Sequence, residues 1–212
     1  MKMPTRFIAS LIFGCSVSLA QAAEVSPTSY TIDQATDTGS YSYHDWTGTQ
    51  LTDGEYGTAP WHADLGNGNA YEWLGWLHDP VVNIVFDLGS NTSPINRVVY
   101  GTVQDHLNDV VIPDSELFSS TDGVSWTSLG SISVPESNAF NNTYQSYTYD
   151  NLNIVDQFVR LTVSHSFNGP WTFIDEVDFF SDAQVNPVPL PPAGVLLLVG
   201  LATLRLSKKR LS

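Results

Sequence analysis

The chain has 212 residues, room for one medium-sized domain with terminal additions. Its formal charge of −14 is unevenly spread: all 22 Asp and Glu lie between Glu24 and Asp182, where Arg97 and Arg160 are the only basic side chains, so this span carries −20 and no lysine. Such a surface argues against nucleic acid and anionic lipid as partners and suits divalent cations and neutral sugars, although part of the charge can serve solubility in salty water.

Lys2 and Arg6 precede the apolar run "FIASLIFGCSVSLA", which ends in "AQA" with small residues at Ala20 and Ala22. That order predicts a secretory signal peptide over residues 1–22, cut after Ala22. A membrane anchor is the weaker reading, because the run is short. A lipoprotein route with acylated Cys15 stays open, although Phe13 fits its cleavage box poorly. Cys15 is the single cysteine, so cleavage leaves no thiol for disulfides, metal ligation or nucleophilic catalysis. The exported domain, residues 23–182, must then rest on its core, with a metal as the remaining aid open to it.

Within the domain, "LTDGEYGTAPW" (51–61) comes early. It is either a turn between strands or a loop shaped to hold something. "PWHADLGNGNAYEWLGWLHDP" (60–80) follows, with Trp61, His62, Asp64, Asn69, Tyr71, Trp73, Trp76 and His78. Sugars are held by an aromatic plate under a C–H face and planar polar groups on the hydroxyls, on loops of a rigid scaffold. Core packing is the competing fate, and it fits at least two of the three tryptophans better. "QDHLNDVVIPD" offers His106 and Asn108, and "HSFNGPW" offers Asn168 and Trp171, each equally open to a structural role.

The rest of the domain reads as strands. "VVNIVFDLG" places Val82, Ile84 and Phe86 on one side, and "QFVRLTVSH" alternates Val159, Leu161 and Val163 with Arg160, Thr162 and Ser164. "INRVVYGTV", "SELFSST" and "YQSYTYDNL" lie between, and "DLGSNTSP", "TDGVSW" and "FNGPW" punctuate them as turns. No segment with helical period stands outside the two terminal apolar runs. Short, regularly spaced strands predict an all-β sandwich or jelly roll.

The order of "LTDGEYGTAPW", "NIVFDLGSNTSPINRVVYG", "FSSTDGVSWTSLG" and "FVRLTVSH…WTFIDEVDFF" resembles a discoidin-type, galactose-binding-like domain over about residues 45–181. The resemblance implies a jelly-roll β-sandwich and a binding module, commonly for sugars or glycans. It also implies a structural Ca²⁺ held by the early loop with an acid from the last strand. Calcium takes six to eight oxygens. Asp53 would give a carboxylate, carbonyls near Leu51 and Tyr56 would turn inward with the help of Gly54 and Gly57, Thr58 would add a hydroxyl or carbonyl, and Glu176 would be the distant acid. Trp61 would cover the loop. Against this, Asp-Gly is a common turn, and Glu176 reads equally as a solvated strand residue. Strand alternation also points Asp175 and Glu176 to opposite sides, so one of them reaches the loop unless a bulge intervenes.

Enzyme signatures are missing from the sequence: there is no G-x-S-x-G, H-E-x-x-H, P-loop or dinucleotide fingerprint, and the five histidines lack ligand spacing. The ligand-site candidates are therefore Trp61, His62, Trp73, Trp76, His78, His106, Asn168 and Trp171, with no catalytic residue.

After Asp182, residues 183–192 form a Pro-rich linker, and residues 193–212 form an apolar segment ending in "SKKR". The apolar part is short for a membrane span, and the basic end predicts a cytoplasmic C-terminus. A plain tail anchor is one reading. "VPLPPAGVLLLVGLATLRLSKKR" resembles the VPLPA-CTERM sorting signal of Gram-negative bacteria, with Pro192 where that family has Ala. This resemblance implies an inner-membrane intermediate, recognition by an exosortase-type transpeptidase, and delivery to the cell surface or extracellular matrix. Together these features predict an exported, surface-sorted glycan-binding module, its ligand the organism's exopolysaccharide. A structural matrix protein without a defined small ligand is the alternative, and an unusual hydrolase is a more distant one.

Overall fold

A computed structural model of the chain describes residues 22–36, 43–57, 61, 72–90, 93–105, 109–134, 143–164 and 171–182. The expected signal and sorting segments, Ala22 apart, lie outside the described residues. Among the described residues no helix is long and apolar enough to cross a membrane.

The described residues of the domain form ten strands: β1 (Ala23–Glu24), β2 (Ser29–Ile32), β3 (Leu74–Leu77), β4 (Val81–Asp87), β5 (Ile95–Gln104), β6 (Asp114–Ser120), β7 (Thr127–Ile132), β8 (Thr143–Tyr149), β9 (Phe158–Ser164) and β10 (Trp171–Ser181). They form two antiparallel five-stranded sheets. One runs β1-β10-β5-β8 with β3 also on β10, and the other runs β2-β4-β9-β6-β7. This is the all-β sandwich that the period-two segments predict.

The register explains why these strands pair. Val82 lies opposite Val163, Ile84 opposite Leu161 and Phe86 opposite Val159, so the apolar faces of β4 and β9 coincide. Leu117 of β6 extends the row beyond Leu161. From the other sheet, Ile95, Val98 and Tyr100 of β5 and Ile174, Val177 and Phe179 of β10 close the same core. Each such fully buried side chain contributes about 1.5–3 kcal/mol relative to exposure. Hydrogen bonds cross the core: the Tyr100 hydroxyl donates to Ser115 Oγ at 2.9 Å, and Ser115 Oγ shares a 2.7 Å hydrogen bond with Tyr149, linking the two sheets.

The β6–β7 hairpin turns on Asp122. Its Oδ1 accepts the Val124 and Ser125 amides at 2.8 and 2.7 Å, and Gly123 takes a left-handed φ of 70°. These amides hold the Asp122 carboxyl down at about 2.

Part of the expected ligand region is a strand. Leu74–Leu77 is β3, paired to Ile174–Trp171 of β10. Burial there is nearly continuous rather than alternating, which is why the segment escapes a period-two reading.

Candidate functional site

The loop of residues 51–57 lies on β10 and is tied to it at three levels. The Val177 amide donates to the Leu51 carbonyl at 2.8 Å. The Gly54 amide donates to Glu176 Oε1 at 3.2 Å, and the Gly57 amide to Asp175 Oδ2 at 2.7 Å. Two consecutive carboxylates reach one loop because β10 shifts register between Ile174 and Val177, a bulge that breaks strand alternation. Asp175 Oδ1 also accepts the Glu176 amide at 2.7 Å, which fixes the bulge from within.

Glycines make the approach possible. A Cβ on Gly101 of β5 would stand 2.0 Å from Asp175 Oδ1, and one on Gly57 would stand 2.0 Å from the Trp73 ring. Gly54 holds a φ of 81°, a backbone region costly for other residues. Trp73 therefore packs on this loop.

Burial dominates the electrostatics. It pushes the Asp175 carboxyl up to about 7 and the Glu176 carboxyl up to about 8, further helped in each case by neighbouring carboxylates and opposed by the loop amides. Asp178 is raised by burial too, although the Tyr56 hydroxyl donates to its Oδ2 at 2.9 Å. Glu176 Oε2 and Asp178 Oδ1 are buried and have no hydrogen-bond partner among the described residues.

These features bear on the expected calcium set. Leu51 is buried, and its carbonyl already accepts one hydrogen bond. Asp53 is exposed, with Oδ1 accepting the Glu55 amide at 3.0 Å. Tyr56 is 41% exposed, and Thr58 lies outside the described residues. Glu176 is 2% exposed, which removes the solvated-strand alternative. Among the described residues no group of three or more His, Cys, Asp or Glu is arranged to hold a metal ion. A cation here would draw most of its ligands from main-chain carbonyls, in keeping with the oxygen coordination of calcium. The orphaned Glu176 oxygen fits such an ion.

The aromatic candidates divide. Trp73 and Trp76, at 2% and 0% exposure, are core residues and cannot offer a face to a ligand, which corrects their place in the expected set. Trp61 is also buried, stacked on Phe173 at 5.3 Å with its Nε1 donating to Asp105 Oδ2 at 3.1 Å. All three fill space that chain burial would otherwise leave empty. Trp171 is partly buried, stacks on Phe173 at 12° and meets Tyr43 edge-on. His78 is exposed just beyond β3, in a left-handed conformation with φ 65°. His62, His106 and Asn168 lie outside the described residues.

One aromatic residue escaped the sequence reading. Trp46 is 59% exposed, in the loop before residue 51. Its ring meets the His44 ring edge-on, with centroids 4.9 Å apart. Thr36 Oγ1 and His44 Nδ1 share a 2.9 Å hydrogen bond that orients the imidazole and leaves Nε2 for another partner. Asp45 pins the loop, accepting the Tyr30 hydroxyl on one oxygen and the Gly48 amide on the other. A cleft of about 210 Å³ lies beside it, lined by Tyr30, Gln34, Thr36, His44 and Asp45. The sequence signal is "YHDWTG", a lone tryptophan among polar residues.

Residues 31–177 match the family model of the F5/8 type C domain. The chain belongs to the F5/8 type C domain family. No curated protein matches its sequence. Solved structures similar to this F5/8 type C domain include the CBM32 module of AlyQ in complex with 4,5-unsaturated mannuronic acid. It is 18% identical, with a TM-score of 0.48, covering 74% of this chain and 98% of its own. Another is the C-terminal domain of a chitobiase from Bacteroides fragilis, 17% identical with a TM-score of 0.48, covering 76% and 99%. A third is a CBM32 module of Clostridium perfringens in complex with GalNAc-β-1,3-galactose, 14% identical with a TM-score of 0.49, covering 75% and 100%. The matched span of the F5/8 type C domain contains the 51–57 loop, His44, Trp46 and most of β10.

Proposed function

We propose that the protein is a non-catalytic glycan-binding module that is exported and displayed on the cell surface, where it holds the organism's own exopolysaccharide. The exposed indole of Trp46 beside the fixed imidazole of His44 carries this reading. It supplies an apolar plate and a planar polar group at the mouth of a cleft, the two elements that sugar recognition requires. Membership of a family of mostly binding modules supports it.

Calcium is the second element of the proposal. Glu176, Asp53 and main-chain carbonyls of the 51–57 loop would hold it, and its role would be to fix the loop against β10. Residues 1–22 and 193–212 supply the reading of export, membrane insertion through the C-terminal segment, and recognition by an exosortase-type transpeptidase, with the surface or matrix of a Gram-negative bacterium as destination.

Polysaccharide pull-down with Trp46→Ala and His44→Ala tests the binding reading. Retention should fall sharply in both while melting temperature stays close to that of the parent. Undiminished retention in both variants would overturn the Trp46 site. Absence of retention by the parent protein would favour a structural matrix protein, a reading that the charge of −20 between Glu24 and Asp182 also suits.

A further inference from the structure

The span from Glu24 to Asp182 has two cations, and the fold treats them alike in one respect. Both guanidiniums lie on aromatic rings, and both Nε atoms are buried without a hydrogen-bond partner among the described residues. Arg160 is held between Phe118, at 4.2 Å, and Trp126, at 4.6 Å. Arg97 is stacked on Phe180 alone, at 4.4 Å, and lines a cavity of about 370 Å³. Stacking on a ring face fixes the guanidinium plane and leaves its edge, where the N–H groups lie, for an acceptor.

The cavity sits where β10 ends, and its wall is built. Asn96 cross-links it: Oδ1 accepts the Asp182 amide at 2.9 Å, and Nδ2 donates to the Leu152 carbonyl at 3.3 Å. The Leu152 amide returns to the Asn96 carbonyl at 2.9 Å, across a turn that Asn151 makes with a φ of 58°. Asp150 and Asp182, both exposed, complete the polar lining. The cavity shares no lining residue with the cleft beside Trp46.

This chemistry selects a narrow class of ligand. A guanidinium edge matches a carboxylate, which can take two parallel N–H bonds. Asp150 and Asp182 repel a second negative charge but accept hydrogen bonds from hydroxyls. The volume falls within the ordinary range of small-molecule sites, about 300–1,000 Å³.

We propose that this cavity binds a sugar acid, a hydroxylated ring with one carboxylate, with Arg97 taking the carboxylate and Asp150 and Asp182 accepting its hydroxyls. The site is separate from the Trp46 cleft and stands or falls without it.

Titration of the full chain with glucuronate, its methyl ester and glucose, followed by calorimetry, tests the assignment. Glucuronate should bind saturably, and the ester and glucose at least about tenfold more weakly, the difference a charge-assisted hydrogen bond typically makes. Arg97→Gln should lose a similar factor, and Arg160→Gln, which removes the other cation, should bind glucuronate as the parent does. If Arg97→Gln does not fold, Arg97→Lys keeps the charge without the planar fork and should still weaken binding. The ester comparison decides without any substitution. A uronate polymer in a parallel arm shows whether the ligand is a free acid or a residue of a chain; binding of either sustains the site. No saturable binding of either glucuronate or the uronate polymer, equal binding of acid and ester, or full affinity in folded Arg97→Gln overturns it.

Discussion

Asp175 and Glu176 are neighbours on one strand, yet both carboxylates accept amides from the same loop, Gly57 donating to the first and Gly54 to the second. A regular strand would send one of them to the opposite face. The bulge in β10 concentrates two buried acids, with Asp178 close by, against a glycine-rich loop.

That concentration makes stability depend on pH. In the cation-free domain the folded carboxyls of Asp175 and Glu176 titrate near about 7 and about 8, above their unfolded values. The folded state therefore binds more protons than the unfolded one between about pH 4 and pH 8, and stability falls as pH rises through this window. The loss should be large enough to read as a clear fall in melting temperature. In chelator, the melting temperature at about pH 8 should lie well below that at about pH 5. Calcium favours the ionised carboxylates, so it should flatten this slope and release protons on binding. A melting temperature indifferent to calcium at the higher pH would remove the metal from the site.

The glycines around the acids are predicted to tolerate no side chain. Gly57→Ala drives a Cβ into Trp73, and Gly101→Ala drives one into the Asp175 carboxylate. Overpacking of this kind costs about 1–3 kcal/mol. Chemical denaturation should show that loss in both variants, with calcium affinity reduced most in Gly57→Ala, because Gly57 belongs to the loop whose carbonyls would hold the ion. Parent-like stability in both would show that the loop and β5 move apart freely.

Much of this architecture was legible in the sequence, for a physical reason. β4 and β9 lie inside a sheet with one face in the core, so Val82, Ile84 and Phe86 and their partners Val163, Leu161 and Val159 alternate with polar residues. The loop–β10 relationship was expected from the family resemblance, which sets the early loop against an acid of the last strand, and the Gly54 amide does donate to Glu176. The bulge was not, because nothing in "FIDEVDF" distinguishes a register shift from a regular strand. Core packing of at least two among Trp61, Trp73 and Trp76 was legible, and all three are buried; the exposure of Trp46 was not. Trp73, Trp76 and Trp46 have the same chemistry, and the pairing of β3 beside β10 in one sheet carries Trp76, and Trp73 just before it, into the interior while Trp46 stays exposed.

That division has a measurable consequence. Trp76→Ala should cost about 3–5 kcal/mol, which for a domain of this size lowers the melting temperature by about 2–4 °C for each kcal/mol. Trp46→Ala should change stability by about half a kcal/mol or less, as surface substitutions do. Equal destabilisation by the two would show that Trp46 is packed against another part of the chain.

Maturation offers a further test. Mass spectrometry of protein released from the cell surface should find an N-terminus near Ala23 and no peptide containing Lys208 or Lys209. Retention of those lysines would contradict sorting, and a lipid on Cys15 would replace the signal-peptide route with the lipoprotein one.

The placement of Arg97 and Arg160 also governs how the domain meets proteases. Trypsin cuts after lysine or arginine, and between Glu24 and Asp182 it has these two bonds alone. Arg97 lies in β5, flanked by β10 and β8, and Arg160 in β9, flanked by β4 and β6. Neither strand is an edge, so neither bond can be drawn into a protease cleft without dismantling a sheet. Tryptic cleavage of this domain should therefore follow the population of the globally unfolded chain rather than local fraying. A protein released among the enzymes of an extracellular matrix would gain a long working life from having its few basic residues in the middle of its sheets.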